Sequence, residues 1–177
     1  VTVRIRPMRL ADIEALLPLE QELFAGDPPW SAQIFRSELA GMPATRWYVV
    51  AEYELGPAGG RIVRSDEPGP LPRTGPDTRI AGYAGLRLPS MWKEPADIHT
   101  IAVATDEQRR GIGSKLLAVM AEEARAHGAT SLTIEVRVDN EPALAFYTRH
   151  GFEQIGVRPG YFGGNRDGLV MSLSLSR

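Results

Sequence analysis

Two stretches of the chain hold residues whose types and spacing could do chemistry. The first is Gln108-Arg109-Arg110-Gly111-Ile112-Gly113, set between the apolar run Ile101-Ala102-Val103 and an amphipathic stretch that reaches His127. Strand, glycine turn and helix in that order make an anion site. The first turn of a helix has amides without intrahelical partners, and its dipole favours negative charge there. Gly111 and Gly113 lack a Cβ, so the turn can be tight and successive amides can face a ligand oxygen. Arg109 and Arg110 add positive charge at the same rim. The second stretch, Ile134 to Phe152, places a carboxylate, Glu135, on an alternating strand and a phenol, Tyr147, on the helix that follows. On their own residues these read as a solvated sheet-face acid and a core aromatic.

Two nucleotide motifs fit the glycine loop poorly. A Walker A loop needs G-x-x-x-x-G-K-[ST]; here Gly113-Ser114-Lys115 reverses the last two residues and position 108 is Gln rather than Gly. A dinucleotide fingerprint needs a third glycine where Leu116 stands.

Composition narrows the classes further. With 177 residues, 43% hydrophobic and 24% charged, the chain has the make-up of one globular domain. A net charge of -2 offers no field for nucleic acid, so no direct nucleic-acid binding is expected. Cysteine is absent, which removes disulfides, thiolate metal sites and a cysteine nucleophile, and three scattered histidines lack metal spacing. No metal is expected. No apolar run approaches the roughly 20 residues of a membrane span, and the opening VTVRIRP alternates as a strand, so a cytoplasmic, membrane-free protein is expected.

The elements that must position these residues follow from periodicity. A strand around Val3 and Ile5 leads to a helix over Leu10–Phe24 that Pro18 should kink or split. Ser31 reads as the cap of a second helix ending at Gly41, with Trp30 and Phe35 spaced as a hydrophobic staple. Trp47–Tyr53 and Arg79–Leu88 form a strand pair. Between them lies a Gly/Pro-rich insertion at 55–79, read as an extended or flexible hairpin. Asp97–Val103 is the strand feeding the glycine loop, and its helix stops at Gly128. Leu132, Ile134, Val136 and Val138 share one face of the next strand; Thr133, Glu135 and Arg137 share the other. Asn140 caps a helix with Pro142 in its first turn, and two strands close the chain. The fold class is α/β with a mixed central sheet of about seven strands flanked by about four helices.

The loop Pro29-Trp30, the strand and loop TIAV…QRRGIG, the strand EVR, the segment N-x-x-A-x-x-x-Y-x-x-x-G-F and a late Arg158…Tyr161-Phe162 together resemble the GCN5-related N-acetyltransferase (GNAT) family. Within it they resemble the RimI-like subgroup, which acetylates the N-terminal alanine of a ribosomal protein. The likeness covers nearly everything except the insertion and implies a single GNAT domain over 1–177.

What the resemblance implies about the site is specific. Acetyl-CoA is the expected co-substrate, with Ile101, Ala102 and Val103 along its pantetheine arm by main-chain hydrogen bonds. Gln108, Arg109, Arg110, Gly111, Ile112, Gly113 and Ser114 are expected at its pyrophosphate, and Asn140 near the thioester end. Glu135 is the expected general base and Tyr147 the acid; Asp97 and His99 are polar neighbours that could share a water with Glu135 or serve structure alone. Trp30, Tyr161 and Phe162 are expected to wall the acceptor, and Phe162 departs from the Tyr-Tyr pair common in peptide-acetylating relatives. The expected partner is a peptide or protein N-terminus, a ribosomal protein among them. A small-molecule amine, a lysine side chain, or a non-catalytic acyl-CoA-binding role stay open at this point. Oligomeric state is not readable from the residues.

Overall fold

The computed structural model describes residues 3–24, 26–54, 73–75 and 78–175. Along them run β1 (Val3–Pro7), a 3-10 turn (Leu10–Asp12), α1 (Ile13–Leu23), α2 (Ala32–Ala40), β2 (Arg46–Glu54), β3 (Arg73–Gly75) and β4 (Thr78–Arg87). There follow β5 (Ala96–Val103), a second 3-10 turn (Thr105–Glu107), α3 (Ile112–Ala126), β6 (Ser131–Arg137), α4 (Glu141–Arg149), β7 (Glu153–Arg158) and β8 (Gly168–Ser174). The chain contains both antiparallel pairing, β1 with β2, and parallel pairing, β5 with β6, which makes the fold mixed α/β, as its pattern predicts. Of the insertion at 55–79, residues 55–72 and 76–77 lie outside the described residues; the short β3 within it pairs with β4.

The residues group into two compact units. The first takes Val1–Gly85 and Thr100–Leu116. Its core joins Ile13, Leu16 and Leu19 of α1 to Phe35, Tyr48 and Tyr83. Pro18 does not split α1, which runs on with the proline inside it and exposed. A helix-interior proline costs about 3 kcal/mol, whereas burying each of Ile13, Leu16 and Leu19 contributes about 1.5–3 kcal/mol. Packing wins over propensity here. Gly85 lets the Tyr48 ring lie flat on β4, since a Cβ there would come within 1.9 Å of it.

The same unit buries an ion pair. Arg6 grips Asp12 with both guanidinium nitrogens at 2.7 and 2.9 Å, and Asp12 also accepts the Arg9 amide at 2.7 Å. Their side chains are 9% and 2% exposed. Arg6 also meets the buried Glu52 at 2.8 Å, so removing Asp12 leaves the guanidinium one partner but costs two charge-assisted hydrogen bonds and orphans the Arg9 amide. Asp12→Ala should therefore lower unfolding stability by about 3 kcal/mol, a Tm drop of about 10 °C for a chain of this size, read by thermal and urea denaturation.

The second unit takes Leu86–His99 and Leu117–Arg177. In it β6 shows the strict alternation of its sequence: Leu132, Ile134 and Val136 buried, Thr133, Glu135 and Arg137 half-exposed. Val138, expected on the apolar face, lies past the strand end and is 48% exposed. β8 pairs antiparallel with β6 from Ser131↔Ser174 to Arg137↔Gly168, and β7 pairs with the far side of β8, setting Arg158 opposite Gly168. The parallel register of β5 on β6 comprises Ala96↔Leu132 and Asp97↔Thr133. Helix ends follow their cap residues. Gly128, at φ +77, closes α3 with the Ala129 amide donating back to the Ala124 carbonyl at 2.9 Å.

Candidate active site

The first unit holds the end of β5 from Thr100, the loop, and the start of α3 as far as Leu116. Ile101 and Val103 are half-buried and Ala102 is buried at the end of β5. The Gln108 amide reaches back to donate to the Val103 carbonyl at 3.1 Å, so this side chain fastens the loop to its strand. The chain then turns through two left-handed positions, Arg109 at φ 63 and Gly111 at φ 82, before α3 begins. A Cβ added at Gly111 would meet nothing within 4 Å. Gly111 is exposed with open space beside it, Gly113 is half-buried, Ser114 is exposed, and Ile112 anchors the helix start in the core at 2% exposure.

Arg110 has an ion-pair partner within the loop. Its guanidinium lies 3.0 Å from Glu107, a carboxylate only 3% exposed that also accepts the Tyr53 hydroxyl at 2.8 Å and faces Arg79 at 3.1 Å. Arg110 thereby braces the loop while staying 45% exposed, and Arg109 beside it is exposed as well.

Trp30 stands on its proline loop with its ring edge-on to Phe35, centroids 5.4 Å apart, which is the staple predicted from spacing. Its amide donates to Glu20 at 2.8 Å. Glu20 is 2% exposed and also accepts the Tyr83 hydroxyl. Burial pushes the Glu20 carboxyl up from its usual 4.5, partly offset by the hydrogen bonds from Tyr83 and Trp30. The folded protein thus holds a proton that the unfolded chain has released, so Glu20's contribution to stability falls as pH rises above about 4.5. Urea titrations across that window should show a shallower decline for Glu20→Gln than for wild type.

The second unit holds the carboxylate and the phenol. Glu135 is on the half-exposed face of β6, its side chain 21% exposed and 3.3 Å from the Arg158 guanidinium. Arg158 in turn lies 5.4 Å above the Tyr161 ring, which meets Phe162 edge-on at 5.1 Å. Glu135, Tyr161 and Phe162, distant in sequence, are thus linked through one arginine. Tyr147 is 3% exposed on α4, edge-on to Phe146 at 5.2 Å and to Phe152 at 5.1 Å. Burial pushes its phenol pKa upward. Asn140 caps α4, its side chain accepting the Ala143 amide at 3.2 Å. Asp97 has a structural role: its carboxylate accepts from Arg87 at 2.7 Å and from the Thr133 hydroxyl. His99 is half-buried on β5.

Sequence reasoning missed Glu20, Glu107 and the linking position of Arg158. Glu20 had a trace in the pattern, because an acid stands where α1 repeats its apolar face after Ile13 and Leu16. Glu107 left none. Among the described residues no cluster of acids and histidines is placed to hold a metal ion, and no helix is long and apolar enough to cross a membrane.

Comparison with known proteins places this arrangement. The acetyltransferase (GNAT) family matches residues 30–152. An N-alpha-acetyltransferase RimI from Mycobacterium tuberculosis is 35% identical over 161 residues, covering 90% of this chain and 84% of that protein. An uncharacterized protein of Mycobacterium leprae is 37% identical over 153 residues; they cover 86% of this chain and 35% of that longer protein. Among solved structures, the ribosomal-protein-S18-alanine N-acetyltransferase from Escherichia coli shares the fold with a TM-score of 0.71 at 24% identity, over 99% of this chain and 96% of that one. The chain belongs to the acetyltransferase (GNAT) family and is an N-acetyltransferase.

Proposed function

We propose that the chain acts as one catalytic domain that acetylates the N-terminal α-amine of a protein, with acetyl-CoA as donor, by direct transfer in a ternary complex. The observation that carries this reading is the Glu135 carboxylate on β6, joined through Arg158 to the Tyr161-Phe162 pair. That grouping offers a proton acceptor beside an aromatic wall. The name of the M. tuberculosis relative, an N-alpha-acetyltransferase, supports the α-amine as acceptor. A ribosomal protein is the acceptor class implied by the RimI-like motifs, and the cytoplasm is the compartment where it would be met.

The residues of the strand and loop fit the donor. The open space at Gly111, the left-handed turn and the start of α3 suit a pyrophosphate, with Arg109, Gly111, Ile112, Gly113 and Ser114 presenting amides and Gln108 and Arg110 bracing the loop. Ile101, Ala102 and Val103 offer strand backbone to an amide-bearing arm, and Asn140 combines its cap with a place near the thioester. Bound there, acetyl-CoA supplies an acyl group on a thiol leaving group. An α-amino group has a pKa of about 7.7–8.0 and must shed a proton before it attacks. Glu135 takes that proton, directly or through a water, and Tyr147 gives one to the departing sulfur. Tyr161 and Phe162 are assigned to the acceptor, as is Trp30 of the first unit; Phe162, lacking a hydroxyl, contributes surface rather than a hydrogen bond.

Short peptides with a free N-terminus, the same peptides with a blocked N-terminus and an internal lysine, and small primary amines, each assayed with acetyl-CoA by intact mass, test this. Transfer should occur on the free N-terminus. Transfer confined to lysine or to small amines would overturn it.

A further inference from the structure

Arg158 is the least constrained member of the group around Glu135. Its side chain is 56% exposed, and it reaches inward from the last residue of β7 to bring its guanidinium 3.3 Å from Glu135. The same group lies over the face of Tyr161 at 5.4 Å. The ring beneath it is better fixed. The Gly160 amide donates to the Asp167 carboxylate at 2.9 Å, the Phe162 amide to the Arg166 carbonyl at 3.1 Å, and the Gly163 amide to the Gly160 carbonyl at 3.0 Å, closing the turn that presents Tyr161. Glu135 is fixed by the β6/β8 register opposite Val170. Two held partners, a carboxylate and an aromatic face, therefore bracket one exposed cation on a flexible stem.

A carboxylate and a ring face are also what an alkylammonium group seeks. We infer that Glu135 and Tyr161 form a subsite for the acceptor's cationic amine, and that Arg158 fills it from within, as a specificity-determining residue the acceptor must displace. The inference rests on Glu135 and Tyr161 serving the acceptor, as proposed above. An arriving amine competes with a tethered guanidinium, so an acceptor that is cationic at neutral pH, such as an α-ammonium, displaces it. A neutral arylamine does not. Exposed ion pairs and cation–π contacts are weak, so displacement is feasible and its effect on apparent affinity is about fivefold.

The test compares wild type, Arg158→Gln and Arg158→Lys, using a free N-terminal peptide and acetyl-CoA. Arg158→Gln should lower the peptide KM about fivefold, the larger part of the change being in KM rather than kcat, while Arg158→Lys, which keeps a tethered cation, stays near wild type. A KM that rises in Arg158→Gln and is restored by lysine would mean that Arg158 holds the acceptor or braces Glu135, and would overturn the inference. An unchanged KM in both variants would overturn it too. A second measurement needs no turnover: methylguanidinium titrated into the protein and followed by NMR should bind Arg158→Gln about fivefold more tightly than wild type, and lose that gain when Glu135→Gln is added. Equal binding to all three would remove the subsite. Failure of every amine to be acetylated would instead remove the transferase role proposed for Glu135, which the titration does not depend on.

Discussion

Replacing Glu135 by glutamine is expected to lower kcat/KM for a peptide amine by about 10³-fold. The amide keeps the size of the side chain and its place opposite Val170 in the β6/β8 register, so what is lost is the carboxylate charge and with it the capacity to take a proton. The loss should be greatest near neutral pH, where an α-amine with a pKa of about 7.7–8.0 is mostly ammonium. It should shrink as the medium is made alkaline and the amine deprotonates unaided. Affinity for coenzyme A, measured by calorimetry, should not change. A variant that keeps a third or more of wild-type turnover across the pH series would return Glu135 to the role of a sheet-face acid.

Tyr147→Phe removes one oxygen from a ring packed edge-on to Phe146 and Phe152. The packing is apolar, so the melting temperature should hold. The phenol should not be dispensable for the reaction. Burial pushes its pKa upward, which keeps the proton on the oxygen through neutral pH and makes it available to a thiolate leaving group. Removing that donor should lower kcat by about 10²-fold with little change in the peptide KM. A loss smaller than about threefold, against the 10²-fold or more typical of general acids, would mark Tyr147 as a core aromatic only.

Much of the fold was legible in the residues because its elements are locally consistent. The alternation of Leu132 to Arg137 set the buried and half-exposed faces of β6, Ser31 and Asn140 capped their helices through the Ile34 and Ala143 amides, and Gly128 and Gly151 took the left-handed positions that helix ends favour. Pro18 misled because its cost is local whereas the compensation from Ile13, Leu16 and Leu19 is tertiary. The turn ahead of α3 was legible at Gly111, whose φ is left-handed, whereas Gly113, read as part of the same turn, lies inside α3. Side chains that meet from distant parts of the chain were less legible. Nothing near Glu107 in the chain announces Tyr53 or Arg79, and nothing near Glu135 announces Arg158. Nor does the motif announce that Arg110 pairs with the buried carboxylate of Glu107.

The way the two compact units divide the chain has a consequence for how the protein is made. Each is assembled from two separated segments, with Leu86–His99 of the second unit preceding Thr100–Leu116 of the first. A ribosome delivering the chain from its N-terminus therefore cannot release one finished unit before beginning the other. Leu86–His99 must emerge before the first unit is complete, and it waits for β6, its parallel partner at Leu132 and Thr133, until the whole of α3 has been synthesised. No single cut in the polypeptide separates the two units, and an interruption of synthesis within α3 leaves the second one with its first segment and without β6.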